Sequence, residues 1–171
     1  MKKSIFLFLL SIIVISCATD STNTQEEVDA NYSLISPNNV VLAKSINELN
    51  QQITDGKGSI TDIEYFNTDK ASIIAKIHYT IGSNNFQTLL LRNVYNVKFP
   101  QDAIIQLPSK TSQNHDFYVS CSGRTCCAPT GTYDPNTQLF TTACKCDDND
   151  NSSCIMHVSS TPPKGPEIDE N

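Results

Sequence analysis

Six cysteines crowd into one short stretch, Cys121, Cys126, Cys127, Cys144, Cys146 and Cys154, while residues 18–120 contain none. An even number confined to one segment, in a chain that leaves the cytoplasm, reads as a disulfide framework. The need for it is physical. Between Phe117 and Val158 the large apolar side chains are few: Phe117, Tyr118, Val119, Tyr133, Leu139, Phe140, Ile155, Met156 and Val158. Such a core is too small to hold a module by itself, and each bridge adds about 2–4 kcal/mol by restricting the unfolded chain. Every connectivity that six cysteines allow stays open. Two local constraints hold: Cys144 and Cys146 share a strand face, and the neighbours Cys126 and Cys127 point opposite ways and so take different partners. Metal binding is the rival, because Cys126-Cys127, Cys144-Lys-Cys146 and Cys154-Ile-Met-His157 supply soft donors for zinc or Cu(I). The spacings form neither the paired C-x₂-C of a zinc ribbon nor a thioredoxin-type C-x-x-C, and an oxidising compartment works against free thiols.

The case for export rests on the first residues. Lys2 and Lys3 precede an almost wholly apolar run, Ile5 to Ile15. At about 1.5 Å per residue a helix of that length falls short of a hydrocarbon core about 30 Å thick. A short apolar run behind positive charge is the pattern of a signal peptide, not of a membrane span. It ends in Val14-Ile15-Ser16-Cys17. This resembles the lipobox of bacterial lipoproteins, an aliphatic residue, a tolerant position, a small residue and then cysteine, although the common form carries Leu first and Ala or Gly third. The resemblance covers residues 1–17 only. It implies that Cys17 takes a diacylglycerol on its thiol, that cleavage makes Cys17 the first mature residue, and that the new amine receives an acyl chain such as palmitate. Each buried methylene contributes about 0.8 kcal/mol, so two or three chains hold stably where one binds marginally. No later segment is apolar enough to span a membrane.

Without residues 1–16 the chain suffices for one ordinary domain or two small ones. The net charge is −6, and removing Lys2 and Lys3 makes the remainder more acidic still. With no basic stripe interleaved with aromatics, nucleic acid is excluded as a partner. The residues after Cys17 are polar and acidic, and cannot bury enough surface to offset ordering entropy. Residues 17–37 are therefore expected to form a lipidated flexible tether. Asp20, Glu26, Glu27 and Asp29 either solvate this tether or direct export to the cell surface, as acids behind the lipid site do in some lipoproteins. Ala18 is not the aspartate that retains some lipoproteins in an inner membrane, which favours the outer membrane. Residues 160–171, rich in proline and acid, read as a disordered tail.

In the middle, Ser45-Ile-Asn-Glu48 fits a capping box, Ile46, Leu49 and Ile53 recur at helical spacing, and Asp55-Gly56 offers a stop. This predicts a short helix over 46–54. It could begin earlier, after Ser36-Pro37, or residues 40–43 could be an edge strand. Ser59 to Phe66 is rich in β-branched and aromatic residues. Ser72 to Ile81 alternates, with Ile73, Ala75, Ile77, Tyr79 and Ile81 on one face and Lys76, His78 and Thr80 on the other. Gly82 to Asn85 is a turn, and Phe86 to Leu91 returns. Residues 103–106 and 117–120 are shorter candidates. In the distal segment Tyr133 to Thr137 looks like a hairpin turn, with strands near 117–121, 138–146 and 153–158. The expected class is α+β: a short helix on an antiparallel sheet over residues 38–116, similar in element order to a cystatin-like arrangement, followed by a small disulfide-rich β module over 117–159.

Residues that could carry chemistry are sparse. His78 sits on the polar face of its strand, with no acid or serine at a recognisable catalytic spacing. His115 and Asp116 are adjacent, and on a strand adjacent residues face opposite ways. The nucleophile elbow, the phosphate-binding glycine loop and the paired-histidine zinc helix are absent. Asp147-Asp-Asn-Asp-Asn-Ser152 resembles the start of a calcium loop, but Ser152 and Val158 stand where an EF-hand needs glycine and glutamate. The expectation is a non-enzymatic binding or accessory lipoprotein of the cell envelope, without a cofactor. Its contacts would be the membrane, through its lipid, and an envelope protein or small ligand. The alternative is a zinc- or copper-handling lipoprotein using the distal cysteines.

Overall fold

The structure is a computed structural model that describes residues 33–66, 68, 71–107, 116–123, 126–146 and 154–163. The signal peptide, Cys17, nearly all of the tether, His115, the acidic run 147–152 and most of the C-terminal tail lie outside the described residues. Two short strands open the fold, β1 (Leu34–Ile35) and β2 (Val41–Ala43), followed by one helix, α1 (Ile46–Thr54). Then come β3 (Gly58–Tyr65), β4 (Ile73–Ile81), β5 (Asn84–Arg92), β6 (Val97–Lys98) and β7 (Ile104–Gln106). The distal strands are β8 (Asp116–Ser122), β9 (Ala128–Asp134), β10 (Leu139–Lys145) and β11 (Ile155–Ser159).

The helix forms where the capping box predicts. Ser45 Oγ accepts the Glu48 N–H at 3.1 Å, and Glu48 Oε2 accepts the Lys44 N–H at 2.6 Å. Asp55, left-handed at φ 57°, closes the other end. Leu49 and Ile53 are buried and point at the sheet.

Six strands form the main sheet in the order β3-β4-β5-β8-β11-β7. Strict alternation in β4 assigns its faces. On one face Ile73, Ala75, Ile77, Tyr79 and Ile81 join Leu90, Tyr118 and the apolar side of α1 and β2 in one core cluster. On the other face Ile74, Leu89, Leu91, Val119, Met156 and Val158 pack with Phe140 of a second sheet, ordered β6-β10-β9. The long β4–β5 hairpin is thus covered on both faces, by the helix with the β1–β2 ladder on one and by three strands on the other. Arg92 ties these layers at one point. Its guanidinium bonds Asp116 of β8 at 2.8 Å and donates to the carbonyls of Val41 (2.7 Å) and Leu42 (3.0 Å) in β2. The hydrogen bond to Asp116 raises the Arg92 pKa, against the opposing effect of burial.

The α+β expectation is overturned: 56% of the described residues lie in strands and 8% in the one short helix. The class is mostly β. The distal segment is also not appended behind a helix-on-sheet unit, because β8 pairs with β5 and β11 in the main sheet. The physical reason is the second apolar face. Leu89 and Leu91 alternate with Leu90 along β5, so the sheet needs cover on both sides, and the distal strands supply it.

Candidate functional site

The three disulfides are Cys121–Cys144, Cys126–Cys146 and Cys127–Cys154. In chain order the first cysteine joins the fourth, the second the fifth and the third the sixth, so the bridges interleave. Their placement follows from the strands. Cys121 stands on β8 of the main sheet and Cys144 on β10 of the small sheet, so that bridge bolts the two sheets together. Cys127 precedes β9 and Cys154 precedes β11, which makes a second bolt of the same kind. Cys126–Cys146 closes the end of the β9–β10 hairpin, just beyond the Ala128–Lys145 pair. Cys126 and Cys127, in the turn just before β9, take different partners. Cys146 Sγ lies 3.9 Å from Cys127 Sγ and 3.7 Å from Cys154 Sγ, so two of the bridges touch. The hairpin itself turns at Asp134, whose carboxylate accepts the Asn136 N–H (2.9 Å) and the Thr137 hydroxyl (2.8 Å). Those bonds favour the ionised form and lower the Asp134 pKa.

A second cluster lies on the main sheet. Register places Asp62 opposite His78 and Glu64 opposite Lys76 across β3 and β4, and Gln87 of β5 opposite His78 on the other side. A register irregularity between Ile60 and Asp62 creates this alignment. It lets Ile60 and Ile63 both face the core although they are three residues apart. His78 Nε2 is 2.7 Å from Glu64 Oε1. Sequence spacing gave no warning of this pair, because fourteen residues and a hairpin separate its members. The signal available was the i, i+2 repetition of Asp62 and Glu64 facing that of Lys76 and His78, readable only once the register is known.

Other polar pairs offer less. Ser122 and His157 Nε2 lie 2.7 Å apart on neighbouring strands β8 and β11, at an exposed position. Among the described residues no carboxylate bonds His157. Asp116 is engaged by Arg92. A cleft of about 170 Å³ lined by Pro37, Asn38, Tyr65, Phe66 and Thr68 is smaller than the usual few hundred Å³ of a small-molecule pocket. At the far edge of the main sheet, β7 and its surroundings expose Ile104, Ile105, Leu107 and Ile155. No helix among the described residues is long and apolar enough to cross a membrane.

Comparison of the chain with family models, with curated proteins and with solved structures gave no match.

Proposed function

We propose that the protein is a lipid-anchored, non-enzymatic binding or accessory module of the cell envelope, carried at an outer membrane on Cys17. The observation that carries this reading is the coincidence of two independent features. The chain has a lipobox-like Val14-Ile15-Ser16-Cys17 behind a basic, apolar start, and its distal cysteines are paired in three disulfides. Disulfides persist in compartments outside the cytoplasm, which is where a lipoprotein matures. The polar stretch after Cys17 supplies reach between membrane and folded part. The β7 edge supplies a contact surface, since an exposed sheet edge with clustered apolar side chains is suited to gripping another protein. The zinc- or copper-handling alternative needs free thiolates, and the pairing of all six distal cysteines withdraws them.

Replacing Cys17 with serine removes the only acceptor for the diacylglycerol. The variant is expected to retain its signal peptide and to lose all acyl labelling when cells are fed a tagged fatty acid. A Cys17→Ser chain that still incorporates the label, or is processed at the same bond as wild type, overturns the anchor.

A further inference from the structure

We propose that Asp62, Glu64 and His78 form a binding site for a divalent transition-metal ion of the zinc type, on the polar face of β3 and β4. One ligand atom from each of the three side chains lies within 4.8 Å of the other two. A tetrahedral zinc ion with N and O ligands at about 2.0–2.1 Å holds those atoms roughly 3.3 Å apart. The His78–Glu64 contact at 2.7 Å therefore opens by about half an ångström, and the wider contacts close by rotation of exposed side chains. The donor set, two carboxylates and one imidazole, suits zinc and leaves a fourth position for water. Its charge of −2 with neutral imidazole balances the ion. Lys76, opposite Glu64, is the cation facing this set across the β3–β4 ladder.

An independent observation points the same way. The carboxamide oxygen of Gln87 is buried and has no hydrogen-bond partner. An unsatisfied buried acceptor is destabilising and calls for an explanation, an ion or ordered water being the usual one. Gln87 stands directly opposite His78, so Asp62, His78 and Gln87 form one row across three strands. A water bound to the ion would give the Gln87 oxygen the proton donor it lacks. The site is separate from the disulfides, and it stands or falls independently of the anchor at Cys17.

The test uses the full mature chain, detergent-solubilised with its disulfides intact, and zinc chloride alone as the probe. Calorimetry is expected to show one ion per chain. His78→Ala, and separately the isosteric pair Asp62→Asn with Glu64→Gln, are each expected to weaken binding at least tenfold. The side chains of His78 and Glu64 are partly exposed, so the fold survives these changes, which unchanged circular dichroism verifies. His157→Ala is expected to leave affinity within twofold of wild type. In NMR the His78 ring resonances are the ones that shift on titration. Failure to bind stoichiometrically overturns the proposal. So does zinc binding that survives His78→Ala, or that is lost instead when Asp147, Asp148 and Asp150 are neutralised, since the ion then sits on that acidic run.

Discussion

Replacing Cys127 and Cys154 together with serine lowers the unfolding free energy by about 3.5 kcal/mol, and the loss begins in the distal strands. The magnitude follows from loop-closure entropy. The bridge spans a sequence separation of 27, and restricting a loop of that size in the unfolded chain corresponds to about 3.5 kcal/mol. The location follows from the architecture. Cys127–Cys154 fastens the start of β9 to the start of β11, so it holds the small sheet against the main one. The β3–β4–β5 hairpins and α1 contain no cysteine, and they share a core of their own around Leu49, Ile53, Ile77 and Leu90. Amide exchange in the variant is therefore expected to accelerate first in β9, β10 and β11, while β4 and β5 keep their protection. Denaturant titration gives the total loss. Equal acceleration in β4 and β10, or a loss under 1 kcal/mol, contradicts this division of labour.

Phe140→Ala costs about 3–5 kcal/mol, comparable to that bridge, through packing alone. Phe140 is fully buried at the centre of the cluster between the two sheets. Its ring meets Phe66 edge-on, with centroids 5.5 Å apart. It also lies over Gly131 of the neighbouring strand, so closely that a Cβ there would stand 2.3 Å from the ring tip. Removing the ring leaves a void over Gly131, which has no side chain of its own to fill it. Against a typical stability of about 5–15 kcal/mol this is a large fraction of the total. The urea midpoint is expected to fall at an unchanged slope, and Phe140→Leu to recover more than half of the loss. A midpoint shift equivalent to less than 1 kcal/mol would mean that Phe140 does not sit between the sheets.

The elements that the sequence exposed are those governed by local rules. The capping box at Ser45–Glu48 fixes α1, and alternation from Ile73 to Ile81 fixes β4 and its buried face. Hairpin chemistry at Tyr133–Thr137 marks the turn into β10. What escaped depends on pairing and packing partners that local patterns do not reveal. β9 reads as a loop because it contains Pro129 and Gly131, both depleted in strands. It forms because Pro129 lies on the outer strand of its sheet, where a missing N–H is tolerated, and because Gly131 makes room for Phe140. β6 is two residues long and exists only by pairing in parallel with β10. The mostly β class was missed for this reason, since two of the three strands of the covering sheet, β6 and β9, carry weak strand signals. The His78 cluster escaped for a related one: a register irregularity near Asp62 decides which acid faces the imidazole.

The anchored, oxidised state is tested most directly by the intact mass of protein extracted from membranes, alkylated before and after reduction. The predicted species begins at Cys17, carries a diacylglycerol and an amide-linked acyl chain, and takes no alkyl group until reduction adds six. A mass that starts at Met1 or at an unmodified Cys17, or two or more cysteines alkylated before reduction, would contradict the account.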